Sequence, residues 1–237
     1  MSNRTLTIEI PVAVLAIDSN YDAITKLAFN YRQNHLYPYF IDRGFLLEKC
    51  QGKLARRHYV VQTLNNLNVN IEYITGVGHG FDDMFTGDQG SPIFSINNYS
   101  YNESQGKIIH FLSCYSAIKL GVDLVKNGCL AFFGYDIPFT YIIDCDQAEV
   151  LWECDSEIDR SFADDLTAEQ VYQRVDSLYE TRIKEYKEKL RQARKSDEDE
   201  IIIQQLQNII CYLKVHRNHL CCPSVDQRWG NIHSKLS

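Results

Sequence analysis

The chain alternates short continuous apolar runs with stretches in which apolar residues recur every three or four positions. Continuous runs are typical of strands buried on both faces of a parallel sheet, and the longer spacing is typical of amphipathic helices. The predicted strands are residues 6–17, 39–42, 71–76, 108–112 and 129–135. The predicted helices between them are residues 23–31, 54–67 and 117–125. This order predicts an α/β fold, with a mostly parallel sheet and helices on both of its faces.

Two stretches depart from this alternation. Residues 81–105 are rich in glycine and asparagine and show no period, which predicts a long loop of the kind that carries function. From Thr167, a capping-box pattern with Gln170 opens a helical period that continues almost to the C-terminus. We therefore predict a domain of residues 1–165, followed by a helical hairpin and tail of residues 166–237. The apolar stripe of the hairpin predicts packing on the sheet domain or on a second copy of the chain, with a dedicated partner-binding arm as the alternative.

Composition narrows the class of protein. Of the 237 residues, 45% are hydrophobic and 23% are charged, which excludes wholesale disorder. The 24 basic and 31 acidic residues give a net charge of −7, so we expect no nucleic-acid partner. The first residues lack the apolar core of a signal peptide, and no stretch reaches the roughly 20 apolar residues of a membrane span. We therefore expect a cytoplasmic protein with no membrane partner, whose eight cysteines are mostly free thiols.

Two of the predicted strands end in residues that carry chemistry. One runs into His79 and Gly80, and the next along the chain runs into Cys114. In open α/β sheets, sites form where the carboxyl ends of neighbouring strands meet. If these two strands are neighbours, His79 and Cys114 face one cleft, where an imidazole can exchange a proton with a nucleophilic thiol.

The surroundings of this pair suit acyl transfer. The backbone N–H groups of Gly80 and Cys114 are candidates for an oxyanion hole. A helix that starts just after Cys114 would favour the thiolate through the dipole at its N-terminus. A lone histidine at a strand end is more often an ordinary polar residue, and a lone cysteine is more often a small core residue. The joint placement of the two is what indicates catalysis.

These motifs resemble those of the caspase-like cysteine peptidases, a superfamily that includes caspases, metacaspases, legumain, gingipains, separase and CHAT-type proteases. The resemblance rests on IEYITGVGHG at residues 71–80 and IIHFLSCYS at residues 108–116. The segment LAFFGY at residues 130–135 looks most like the gingipain and CHAT branches. The resemblance covers residues 6–145 and implies a three-layer sandwich, a His79–Cys114 dyad and an oxyanion hole formed by Gly80 and Cys114.

The sequence does not determine which substrate side chain such a site would accept. Several branches place an acidic residue two positions before the nucleophile, where it helps to bind a basic side chain, but this chain has Leu112 there. The caspase pentapeptide that indicates aspartate specificity is also missing. Asp18, at the end of the first strand, and Asp136, after the last, are candidate substrate-binding carboxylates. The alternative for each is an ordinary carboxylate in a strand-end turn.

A second group of chemically capable residues lies near the C-terminus. His216, His219, Cys221 and Cys222 fall within seven positions and are candidate zinc ligands. Vicinal cysteines rarely bind one metal together, and a matching second pair is not evident. We therefore predict neither a metal site nor a cofactor.

The sequence thus predicts a cysteine endopeptidase that cleaves peptide bonds in a protein substrate. By family analogy alone, its role is regulatory, of the stress, defence or cell-death type. One alternative is a catalytically silent scaffold of the same fold, which binds a protein partner or a second copy through the hairpin. Another is a different thiol hydrolase on a doubly wound sheet.

Overall fold

A computed structural model of the chain describes residues 11–140, 149–196 and 198–236. The strands are β1 (Val12–Asp18), β2 (Leu46–Gln51), β3 (Asn70–Val77), β4 (Gly80–Phe81), β5 (Met84–Thr86), β6 (Pro92–Ser95), β7 (Ile108–Leu112), β8 (Ala131–Tyr135) and β9 (Leu220–Cys221). The helices are α1 (Ala23–Tyr31), α2 (Tyr37–Asp42), α3 (Arg57–Leu64), α4 (Tyr101–Ser104), α5 (Leu120–Lys126), α6 (Glu149–Ala163), α7 (Ala168–Lys195) and α8 (Glu200–Asn218). A π-helical turn, Arg32–Leu36, joins α1 to α2. None of these helices has both the length and the apolar character needed to span a bilayer.

The main sheet has six strands in the order β2-β1-β3-β7-β8-β9. The first five run parallel, and β9 pairs antiparallel with β8 at the edge. Strands β3 and β7 are direct neighbours near the centre, so their carboxyl ends lie side by side. The predicted α/β fold with a mostly parallel sheet is confirmed.

Alternate side chains of the strands enter two separate cores, one on each face of the sheet. Val14, Tyr73 and Ile108 belong to the core beneath α1, α2, α6, α7 and α8. Their neighbours Leu15, Ile74 and Ile109 belong to the core beneath α3, α5 and the small sheet β4-β5-β6. Because both faces are covered, the central strands are mostly apolar, which is why their sequences read as nearly continuous apolar runs.

One predicted strand in the first half of the chain is a helix. The apolar run at residues 39–42, predicted as a strand, belongs to helix α2. Pro38 sits in the first turn of α2, where a missing N–H costs no helical hydrogen bond. The edge strand that pairs with β1 is instead β2. It is half exposed and contains polar residues, so its sequence shows no continuous apolar run.

Two further regions differ from the prediction, one more regular and one less regular than expected. Residues 81–105, predicted as a loop, contain most of the small antiparallel sheet and helix α4. The helix predicted to start directly after Cys114 begins only at Leu120 as α5, after a run of turns. Cys114 therefore does not lie at a helix N-terminus.

The predicted C-terminal hairpin is present as α7 and α8, which pack against each other and, through α6, against the sheet. The chain after α8 returns to the sheet as β9, and the buried Trp229 donates its indole N–H to the carbonyl of Ala117 (2.9 Å). The predicted boundary after residue 165 thus falls between α6 and α7, while residues on both sides share one core. The start of the first predicted strand, residues 6–10, and Asp197 in the predicted hairpin turn lie outside the described residues.

Truncation of the hairpin core tests this integration. Leu213 of α8 is fully buried, so Leu213→Ala leaves a cavity and is expected to lower the free energy of unfolding by about 2–5 kcal/mol. The exposed Ile201, at the start of the same helix, is the matched control, and Ile201→Ala is expected to cost less than about 0.5 kcal/mol. Urea unfolding followed by circular dichroism and tryptophan fluorescence measures both, and the two probes should report one transition. Loss of helical signal before any change in fluorescence would show that the hairpin folds separately.

Candidate active site

His79 and Cys114 line one cavity at the carboxyl edge of the main sheet. His79 follows the end of β3 by two residues, and Cys114 follows the end of β7 by two. The register sets Val77 directly beside Leu112, so both chains leave the sheet at the same level. Adjacent parallel strands therefore bring an imidazole and a thiol to the same cleft.

Gly80 makes the approach of these two segments possible. A Cβ atom at this position would overlap the carbonyl oxygen of Cys114 and come within 2.9 Å of Cβ of Ser113. Only glycine lets the backbone after His79 lie directly against the backbone of Cys114. The two candidate oxyanion-hole residues, Gly80 and Cys114, are thus in contact with each other.

The structure adds a third residue, Asp22, which the sequence-based prediction missed. Asp22 is the N-cap of α1, and its Oδ1 accepts hydrogen bonds from the backbone N–H (2.8 Å) and hydroxyl (3.0 Å) of Thr25. Its other oxygen, Oδ2, lies 2.6 Å from Nε2 of His79. Burial acts to raise the pKa of Asp22, but the bonds from Thr25 and His79 outweigh it and lower that pKa. Asp22 is therefore an ionised carboxylate that fixes the orientation of the His79 ring.

The Cys114 thiol is buried enough to disfavour its charged form. Burial raises its pKa, although hydrogen bonds from the backbone N–H groups of Phe139 and of Cys114 itself act in the opposite direction. The next residue, Tyr115, has φ of 60°, a left-handed conformation that turns the chain sharply away from the strand. Since the thiolate is not stabilised at rest, this thiol would need a base to act as a nucleophile.

A buried ionic network lies beneath this site, on the α1 and α6 side of the sheet. Its centre is Arg32, which is 1% exposed. The Arg32 guanidinium donates to Asp18 (3.1 Å), Asp159 (3.2 Å), the hydroxyl of Thr75 (2.9 Å) and the hydroxyl of Tyr37 (3.1 Å). Removing charges from water is costly, and here each is compensated by opposite charges and hydrogen bonds.

His110 extends the network along β7. Its Nε2 lies 3.2 Å from Asp155 and its Nδ1 lies 3.2 Å from Asp159, both on α6. Burial acts to lower the pKa of His110, but the two carboxylates raise it to about 9. His110 is thus an imidazolium held between two carboxylates. Each ring nitrogen faces a different carboxylate, so this trio, although its ligand atoms lie within 4.8 Å of one another, has the geometry of an ion-pair cluster rather than of a cation site.

The two candidate substrate-binding carboxylates have different positions. Asp18 is fully buried, paired with Arg32, and also accepts hydrogen bonds from Gln51 (2.7 Å) and from the hydroxyl of Tyr37. The expectation that Asp18 contacts substrate is therefore wrong, because its oxygens are already bonded inside the protein. Asp136 is partly exposed and lies 2.9 Å from Nδ1 of His219, and it does not line the cavity of Cys114.

The candidate zinc ligands have separate partners. His216 stacks on Phe139 with ring centroids 3.8 Å apart, and its Nε2 accepts from the backbone of Thr140 (3.1 Å). Burial lowers the pKa of His216 to about 3, with His219 acting in the same direction. Within residues 11–140, 149–196 and 198–236, the seven cysteines are free thiols, and Cys145 lies outside these ranges.

Substitution of Gly80 tests the contact between the two strand ends. The Cβ of Gly80→Ala would overlap the Cys114 carbonyl, and overpacking of this kind is expected to lower the free energy of unfolding by about 1–3 kcal/mol. Gly106→Asn is the control, because open space surrounds Gly106 and asparagine tolerates its positive φ. Chemical denaturation compares the two variants. Full stability of Gly80→Ala would contradict the direct contact of these segments.

The raised pKa of His110 predicts a pH dependence of stability. Its folded pKa of about 9 exceeds the ordinary value of 6.5, so the stabilisation is complete below about pH 6.5 and is lost as the pH rises through 9. This difference corresponds to about 3 kcal/mol. We expect His110→Gln to be less stable than the wild type at pH 6, and the difference to shrink toward pH 10. Urea titrations across this range measure it, and a difference independent of pH would mean that His110 is neutral.

A scan against protein-family models found no match to this chain, and a search of curated proteins found none either. The function must therefore be inferred from the site itself.

Proposed function

We propose that the chain is a cysteine endopeptidase with a caspase-like fold, in which Cys114 is the nucleophile and His79 is the base. One observation carries the proposal: His79 and Cys114 line the same cavity, and the ring of His79 is held by Asp22. A nucleophile, a base and a residue that orients the base form the general arrangement of covalent acyl-transfer enzymes. The α/β sheet with helices on both faces is compatible with the three-layer sandwich that the sequence resemblance implies.

The geometry supports a defined division of labour. Because Asp22 occupies Nε2 of His79, the nitrogen available to the thiol is Nδ1. His79 accepts the Cys114 proton as the sulfur attacks the scissile carbonyl carbon. The resulting imidazolium lies 2.6 Å from an ionised carboxylate, which stabilises its positive charge. His79 then donates the proton to the leaving amine, and water hydrolyses the thioester.

The tetrahedral intermediate needs hydrogen-bond donors for its oxyanion. The N–H of Cys114 already points toward its own sulfur, since it hydrogen-bonds to the thiol at rest. Gly80 lies against the Cys114 backbone, and the proposal assigns its N–H as the second donor. Two backbone donors fixed in this way need no rearrangement when charge develops on the oxygen.

Active-site labelling tests the proposal. A library of peptidyl acyloxymethyl ketones is expected to modify the wild-type protein at Cys114 and to leave Cys114→Ala unmodified. Cys211 is the exposed cysteine among the described residues, and Cys211→Ala is the matched control that should be labelled like the wild type. Peptide mapping by mass spectrometry locates the adduct. Equal labelling of the wild type and Cys114→Ala would overturn the proposal.

Asp22 provides a second, graded test. Asp22→Asn keeps the shape of the N-cap but removes the charge that stabilises protonated His79. We expect hydrolysis of a reactive peptide to slow by about 10²- to 10⁴-fold with little change in stability. Unchanged hydrolysis by Asp22→Asn would show that Asp22 does not assist His79. Absence of any Cys114-dependent reaction in the wild type would instead favour the non-catalytic scaffold.

A further inference from the structure

The cavity beside the Cys114 sulfur has an apolar lining. Its volume is about 40 Å³, and it opens to solvent at its mouth. Besides the residues that carry the chemistry, its walls are formed by Ile24, Ala28, Val77, Leu112, Phe139 and Trp152. All of these except Ile24 are buried. No acidic or basic side chain other than His79 lines the part of this cavity formed by described residues.

The floor of the cavity separates it from the charges below. Val77 and Leu112 lie side by side at the ends of β3 and β7. Thr75 and His110 lie two residues earlier on the same two strands, face the same side of the sheet and are paired with each other. Both belong to the ionic network. One layer of apolar side chains thus lies between the cavity and the network, whose carboxylates are already bonded to Arg32 and His110.

Among the described residues, the polar atoms of the lining offer no counter-charge to a ligand. The hydroxyl of Thr25 donates to Asp22 (3.0 Å), which is itself bonded to His79 (2.6 Å). The hydroxyl of Ser113 is buried and has no hydrogen-bond partner among the described residues, but it is neutral. A charged side chain entering this cavity would lose its water without gaining an opposite charge, whereas an apolar side chain would gain from burial.

Exposed apolar side chains also occur close to the site residues in the sequence. Five exposed large hydrophobic residues lie within four positions of Asp22, His79 or Cys114 in the sequence: Tyr21, Ile24, Phe81, Tyr115 and Ile118. Clustering of exposed apolar side chains around a cleft marks a binding surface, whereas scattered single ones are normal.

We propose that the pocket beside Cys114 accepts an uncharged, apolar side chain such as leucine at the residue whose carbonyl is attacked. The substrates are extended, apolar segments of protein, of the kind exposed when a protein is unfolded. This inference rests on the proposed peptidase function and adds its substrate class.

The test compares peptide substrates that differ only in this residue. Matched fluorogenic peptides with leucine, arginine or aspartate at the cleaved position are hydrolysed by the full-length protein, with Cys114→Ala as background. We expect kcat/KM for leucine to exceed the values for arginine and aspartate by about 10²-fold or more. Cys114-dependent hydrolysis that favours arginine or aspartate would overturn the apolar pocket while leaving the peptidase function intact. Failure of all three peptides to react through Cys114 would overturn both.

Two variants of the pocket and one control variant test whether this cavity sets the substrate preference. Leu112→Asp places a carboxylate in the cavity and is expected to shift the preference toward arginine by at least about tenfold. Leu130→Asp makes the same substitution at an exposed position just before β8, at the opposite edge of the sheet from the site. This variant should keep the wild-type preference. Ala28→Leu narrows the cavity and is expected to favour alanine over leucine, which provides a readout if Leu112→Asp does not fold. A leucine preference unchanged in both pocket variants would show that this cavity does not bind the side chain.

Discussion

The ion pairs of Arg32 are the interaction on which the geometry of the site depends. A guanidinium removed from water must be matched by carboxylates in fixed positions, and this one joins Asp18 of β1 to Asp159 of α6. Loss of either partner would leave an uncompensated buried charge, so the strands and helices that carry these groups are held in one arrangement. His110 on β7 ties the central strand to the same helix.

The network and the site are related through the chain itself. Three residues of the network lie on the adjacent strands β1, β3 and β7, and each precedes a residue of the site by four positions. The pairs are Asp18 and Asp22, Thr75 and His79, and His110 and Cys114. Fixing the strand ends from below therefore fixes Asp22, His79 and Cys114 above them, and the buried charges cost more desolvation than apolar residues would. The apolar layer between them keeps the charges of the network away from the cavity.

Much of this fold could be predicted from sequence because the central strands are covered on both faces. Their continuous apolar runs distinguish β1, β3, β7 and β8 from the rest of the chain. The edge strand β2 lacks such a run, and the short apolar segment of α2 fits either a strand or a helix by its pattern alone. The small sheet after His79 escaped prediction because its strands have only two to four residues each.

The site was predictable only in part, for a similar reason. His79 and Cys114 directly follow apolar strands, which is a local signal. Asp22 acts through a contact across 57 positions in sequence, and only its N-cap position before α1 could have drawn attention to it. Asp18 is a candidate substrate carboxylate by its strand-end position alone, because its buried partner Arg32 leaves no signal near it in the sequence.

The most direct test of this account is a crystal structure of the full chain after reaction with a leucine-containing peptidyl acyloxymethyl ketone. We expect a thioether bond to Cys114 Sγ, with the ketone oxygen about 3 Å from the N–H groups of Gly80 and Cys114. The leucine side chain should lie against Leu112, and His79 should remain hydrogen-bonded to Asp22. An adduct on another cysteine, or a ketone oxygen directed away from Gly80, would contradict it.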